Sequence, residues 1–222
     1  MEGEILLPTK GVEEPPRKYL GFVAPIKNPI TPIRPLDPRP ECFVFLEGGP
    51  EAPGAKKPAD SPVVMELGTV SFHVPVLPVV VGSTVEIKNV GKTTHPIHAP
   101  DKKDLFEGPP IGTGGVRSAT LQVPEVAALL LSRDSPHVEG RIVALPTRYF
   151  ARLSASGSFK IEDVPEGKWT IKVWYRDGWL PITSTVQVSG KGTKIRLTLP
   201  ERMEVQASQE SQEPKTGSAA GK

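Results

Sequence analysis

Leu129-Leu130-Leu131-Ser132-Arg133-Asp134-Ser135-Pro136-His137-Val138-Glu139-Gly140-Arg141-Ile142-Val143 decides the fold of this chain: an apolar strand enters a short polar loop and a second apolar strand leaves it. Outward from it the same grammar repeats. Val63-Met65, Val70-Val74, Leu77-Val81, Thr84-Asn89, Ser118-Val123 and Ala128-Leu131 read as strands, followed by Gly140-Leu145. Thr84-Val85-Glu86-Ile87-Lys88-Asn89 alternates apolar and polar residues, as a strand with one wet face does. Val123 to Leu129 carries a proline followed by an acidic residue, which suits one helical turn.

Twenty-six prolines and 21 glycines in 222 residues break the chain too often for long helices. The fold class is therefore all-β. Residues 1–40 are dense in proline from Pro8 onward, so they read as an extended arm with few ladder hydrogen bonds. Cys42-Phe43-Val44-Phe45-Leu46 is a buried strand, and Gly48 to Ala55 is a loop. Further on, Phe159 and Ile161 share one face, Pro165-Glu166-Gly167 turns, and Trp169, Ile171 and Val173 share the next face. That predicts a hairpin over 157–175. Strands follow at Ile182-Val188 and Lys194-Leu199, and residues 201–222 are too polar to order themselves.

The hydrophobic share of 37% and charged share of 23% suit a soluble chain with a sizeable core. A net charge of +2, from 27 basic and 25 acidic residues without a block of one sign, argues against nucleic acid as a partner. No stretch approaches the roughly 20 apolar residues of a membrane helix. Met1-Glu2-Gly3-Glu4-Ile5-Leu6-Leu7-Pro8 lacks the basic-then-apolar pattern of a signal peptide, so the expectation is either a cytosolic protein or one whose leader has been removed. The lone Cys42 allows no internal disulfide and reads as a buried strand thiol.

Several motifs, in order, resemble the cupredoxin (plastocyanin-like) family in the variant joined to a carboxypeptidase-regulatory-like, or transthyretin-type, β-sandwich. Val79 to Asn89 is similar to the family's strand before its first ligand loop, and His95-Pro96-Ile97 stands where the first copper histidine does, with Pro96 departing from the usual asparagine. Pro146-Thr147-Arg148-Tyr149-Phe150-Ala151, then Asp163 to Gly167 and Val173-Trp174, resemble the sandwich portion. The resemblance spans Glu41 to Leu199. It implies a cupredoxin-like Greek-key barrel over 58–146, nested in or followed by a small sandwich over 147–200, with 41–57 pairing with that sandwich. It further implies a periplasmic or secreted protein acting on an unidentified envelope partner.

The resemblance also places ligand positions. The family's second loop runs cysteine, two residues, histidine, two residues, methionine, and here those positions hold Ser132, Ser135 and Val138. A hydroxyl is no substitute for a thiolate as a soft copper ligand, so blue-copper electron transfer is not expected and no cofactor is required. His95, His98 and His137 still fall in the two loops that the fold brings together. They read either as surface histidines or as a non-blue Cu(II) or Zn(II) site completed by Asp134, Glu139 or water. His73, within Val70 to Val74, reads as a strand position facing water or an edge rather than as a ligand.

Ser132, Asp134, Ser135 and His137 hold the residue types of a hydrolytic triad, but one short loop cannot align nucleophile, base and carboxylate, so no catalysis is expected. Gly112-Thr113-Gly114-Gly115 lacks the lysine and helix start of a phosphate loop and reads as a turn. Trp169 and Trp174 stand five positions apart and so face opposite sides of one strand. Trp174, Tyr175 and Trp179 form either an interdomain layer or a partner surface.

Overall fold

The computed structural model describes residues 1–8, 12, 37–102, 104–123, 127–135, 137–190 and 192–203. In chain order the strands are β1 (Glu2–Leu6), β2 (Cys42–Glu47), β3 (Val63–Leu67), β4 (Val76–Val80), β5 (Thr84–Asn89), β6 (Ile97–His98) and β7 (Val116–Thr120). Then come β8 (Ala127–Ser132), β9 (Glu139–Leu145), β10 (Phe150–Arg152), β11 (Ser158–Lys160), β12 (Gly167–Tyr175), β13 (Gly178–Val188) and β14 (Lys194–Thr198). The described residues contain one 3-10 turn, Arg39–Glu41, and no α-helix, so the protein is all-β.

Four sheets form, in the orders β11-β1-β14, β10-β2-β12-β13, β4-β9-β8-β6 and β3-β5-β7. Alternation along the strands says how they stack. Ile5 of β1, Leu197 of β14 and Phe159 of β11 share a core with Val44, Leu46, Trp169, Ile171 and Val173 of β2 and β12. Met65, Val85 and Ile87 of β3 and β5 share another with Leu77, Leu130, Ile142 and Ala144 of β4, β8 and β9. The other faces of the two inner sheets meet through Phe43, Phe45 and Trp174 on one side and Val76, Val143 and Leu145 on the other. The molecule is thus two sandwiches stacked back to back.

That stacking explains why β2, β4 and β9 read as continuous apolar runs: each is covered on both faces. The strand β2 lies between β10 and β12, pairing Cys42 with Tyr175 and Glu47 with Thr170, so sequence on both sides of the second sandwich builds the first.

Five expectations need correction. Glu2–Leu6 is no arm: β1 pairs antiparallel with β11 and parallel with β14, with Ile5 fully buried and Gly3 lying under the Phe159 ring. The remainder of the expected arm, 9–11 and 13–36, lies outside the described residues. Val70 to Val74 is not a strand, because Gly68 N–H donates to the Ser71 carbonyl at 2.9 Å and turns the chain back, leaving Val70 64% exposed. The strand expected at Ser118 to Val123 starts earlier, at Val116.

The 157–175 segment is not a hairpin either. Its first arm, β11, pairs with β1 while β12 pairs with β2 and β13, so the turn at Pro165 carries the chain from one sheet to the other across the core. Finally, Met203 is buried in the first core and so does not belong to the expected disordered tail; 204–222 lie outside the described residues, as do 124–126 of the expected helical turn.

Candidate functional site

Buried Asn89, the last residue of β5, builds the end of the second sandwich where the two loops meet. Its Nδ2 donates to the carbonyls of Thr93 and Ile111 at 2.8 and 2.7 Å, and its Oδ1 accepts from Gly91 N–H at 2.9 Å. One amide side chain therefore satisfies three loop groups that would otherwise be stranded at the core's edge. His95 follows, exchanging both backbone hydrogen bonds with Ile111 at 3.1 and 2.8 Å, which drives its ring inward to 1% exposure.

From the other side, β8 delivers Ser132, and the loop after it closes on itself. Ser135 N–H donates to Ser132, Val138 N–H to Ser135 and Ser132 N–H to Val138, at 3.3, 2.8 and 3.2 Å. Arg133 N–H donates to the Pro96 carbonyl at 3.2 Å and ties this loop to that of His95. At the junction His95 Nδ1 lies 3.4 Å from Ser132 Oγ, both residues buried, while His95 Nε2 is buried without a partner. A contact of 3.4 Å is a long hydrogen bond.

The other positions do not join them. Strand β6 pairs Ile97 with Ser132 and His98 with Leu131. Residues directly opposite share a face, so His98 lies on the face away from Ser132. Its Nδ1 is buried and unpartnered there. His137 is exposed on the loop, Ser135 is half-buried, and Val138 is fully buried in the second core. Among the described residues no three His, Cys, Asp or Glu side chains form a group able to hold a metal. His73 faces water and pairs with Glu66 at 3.0 Å.

The aromatic set resolves differently from a surface. Trp174 is fully buried between the sandwiches, stacked on Phe43 at 5.8 Å and met edge-on by Trp179 at 5.0 Å, and its Nε1 donates to the Arg176 carbonyl at 2.7 Å. Tyr175 is buried in the first core, and Trp169 packs there on Tyr149 at 4.9 Å. Of the three candidates for a partner surface, Trp179 alone keeps part of its ring in solvent, with Lys172 Nζ 5.3 Å from its centre. Cys42 is buried and its Sγ donates to the Pro38 carbonyl at 3.3 Å; burial pushes its thiol pKa up.

What sequence reasoning missed is Asn89. Its signal was present: an alternating strand that ends on an asparagine pointing to the covered face needs partners inside the fold.

No protein-family model matches the chain, and no curated protein does. Among solved structures it is similar to a reduced amicyanin variant, at 24% identity over 40% of this chain and 88% of that one, with a TM-score of 0.35. A Cu(I) amicyanin variant at pH 4 is 23% identical over 46% of this chain and 97% of that one, TM-score 0.35. A copper-containing nitrite reductase from Thermus scotoductus SA-01 is 23% identical over 42% of this chain and 26% of that one, TM-score 0.34. The likenesses to amicyanin extend over 40–47% of this chain.

Proposed function

We propose that this is a non-enzymatic binding or scaffold protein of the bacterial envelope, a cupredoxin-like sandwich without type 1 copper carried on a transthyretin-type one. The observation that carries this reading is the His95–Ser132 contact, in which a hydroxyl stands at the position the resemblance gives to the thiolate. A serine hydroxyl keeps its proton near neutrality and offers no soft bond to copper. Val138 supplies only apolar surface to the core, and Ser135 supplies no imidazole.

Adding Cu(II) to the purified protein tests the reading: no intense visible thiolate-to-copper band is expected, and its appearance overturns the proposal. Cell fractionation tests the envelope assignment, and recovery of the protein solely with cytosol would refute it.

A second reading, copper or zinc handling, is favoured by one observation, the unpartnered buried nitrogens His95 Nε2 and His98 Nδ1. Calorimetric titration of both ions decides it, with His95→Ala/His137→Ala expected to weaken binding. Unchanged affinity in that variant rejects it.

A further inference from the structure

A sheet edge offers its backbone N–H and C=O groups to any strand that reaches it, and stable proteins blunt such edges. Among the described residues the four sheets end on eight strands, and seven of these edges are blunted. Strands β6, β10 and β11 are no longer than three residues, and β4 carries Pro78 at its centre. Strand β3 carries Glu66, β7 carries Arg117, and β14 carries Lys194 and Arg196. The eighth edge is β13. Its pairing with β12 is irregular around Pro181 and then regular from Thr183 to Val188, a run of Thr-Ser-Thr-Val-Gln-Val without charge or proline. Among the described residues no strand lies on its outer side.

The ladder says which groups on that edge are open. Arg176 N–H donates to the Glu41 carbonyl at 3.3 Å, so even-numbered residues of β12 turn their backbone toward β2 and odd-numbered ones toward β13. Trp169 and Ile171 therefore hold the backbones of Val186 and Ser184, and the N–H and C=O groups of Thr183, Thr185 and Gln187 point off the sheet. Thr193 Oγ1, which reaches the Gln187 carbonyl at 3.4 Å, agrees with that direction. The side chains of Thr183, Thr185 and Gln187 are exposed, while Val186 on the other face lies half-covered at the margin of the first core.

We propose that β13 pairs antiparallel with β13 of a second copy of this chain, the two-fold axis passing at Thr185. In that register Thr185 faces Thr185 of the second copy and Thr183 faces its Gln187, each facing pair exchanging two hydrogen bonds. The edge is self-complementary there. Thr170 stands opposite Thr185 in the β12–β13 ladder, so the joined sheet carries an unbroken row of threonines from β12 of one copy to β12 of the other, and cross-strand Thr–Thr pairs are favourable. Charge fits the symmetry as well. Lys172 lies beside Thr183 and Lys168 beside Gln187, so across the axis they stand three strand spacings apart, about 14 Å. That exceeds the screening length of about 8 Å at physiological salt, and Lys172 is already paired with Glu47 at 2.8 Å. One strand pair is a small interface, so the dimer forms at high concentration and dissociates on dilution.

Sedimentation velocity of the full chain from about 10 µM to about 1 mM tests this. The wild type should pass from monomer toward dimer over that range. Amide exchange of Thr183, Thr185 and Gln187 should slow as concentration rises, whereas Ser184 and Val186, already bonded to β12, should exchange slowly throughout. Thr185→Lys sets two like charges against each other at the axis and should weaken association at least about tenfold. Thr185→Glu should do the same, and an equimolar mixture of the two variants should associate again. Position 185 is exposed, so an unchanged melting temperature at low concentration identifies the folded variants. Ser118→Lys, at an exposed position of β7, adds the same charge elsewhere and should dimerise as the wild type does. A wild type that stays monomeric at about 1 mM, a dimer that Thr185→Lys leaves intact, or a mixture no better associated than its components each overturn the proposal.

Discussion

Truncating Trp174 to alanine should uncouple the two sandwiches. The indole is fully buried in the layer between them, stacked on Phe43 with planes 13° apart, and it faces Val76, Val143 and Leu145 of the second sandwich. Removing a buried Trp costs about 3–5 kcal/mol, the transfer term plus the cavity left behind. Against a total stability of about 5–15 kcal/mol that loss is large. It falls on a layer to which the second sandwich contributes, among the described residues, three buried aliphatic side chains, with an ion pair of largely covered Arg141 and exposed Asp177 beside them.

All three tryptophans belong to the first sandwich, so indole fluorescence during urea denaturation follows that half, while protection of the Val85, Ile87 and Leu130 amides follows the other. The two probes should coincide in the wild type and separate in Trp174→Ala, with the midpoint of at least one lowered. Trp169→Ala removes a ring of the same size from inside the first core and leaves the layer intact, so its effect should start in the fluorescence transition. The reasoning is wrong if Trp174→Ala costs under about 1 kcal/mol or keeps the two probes coincident.

Gly91→Ala places a Cβ 2.4 Å from the Thr69 nitrogen, backbone that cannot swing aside, so it should cost about 1–3 kcal/mol in thermal denaturation; an unchanged midpoint refutes the close approach. Ser132→Ala strands the buried His95 ring and should destabilise by about 1–3 kcal/mol, whereas His95→Phe combined with Ser132→Ala should recover part of that, and strict additivity would deny the pair any coupling. Cys42 stays a covered, protonated thiol, so a thiol reagent should label it only as fast as the fold opens; labelling as rapid as in denaturant excludes this. The Arg39 guanidinium holds the Asp37 carboxyl below the usual range, and a depressed carboxylate stabilises above its unfolded pKa and loses that contribution as pH falls through the folded value. Asp37→Asn should therefore be the less stable protein near about pH 7 and match the wild type in strong acid, and a difference that persists in acid contradicts the linkage.

Strand existence was legible because Val, Ile and Phe runs lie between proline and glycine breaks, and Thr84–Asn89 has the same limits in sequence and structure. Pairing was legible only in part. Glu2–Leu6 is a strand because of distant β11 and β14, and a five-residue window that opens on Glu-Gly-Glu carries no sign of them. The expected hairpin at 157–175 failed for a related reason: apolar alternation fixes which face of each arm is covered but not which sheet receives it. Phe159 and Trp169 reach the same core from opposite sheets, a result that satisfies the pattern as well as a hairpin would.

The opposite-face argument for Trp169 and Trp174 holds across β12, since Trp169 lies in the first core and Trp174 in the layer between sandwiches. The same parity separates two of the histidines. His95 and His98 are neighbours in sequence, but two of the intervening steps lead into β6, where pairing with β8 sends Ile97 toward Ser132 and His98 away from it. The fold brings the two loops together, 37 residues apart in sequence, through the Arg133–Pro96 and His95–Ser132 contacts. Convergence of three imidazoles needed a register as well as a fold, and register is set by β6 and by Asn89, whose buried amide fixes where the His95 loop begins. A framework can therefore keep its loop contact while its donor atoms point three different ways.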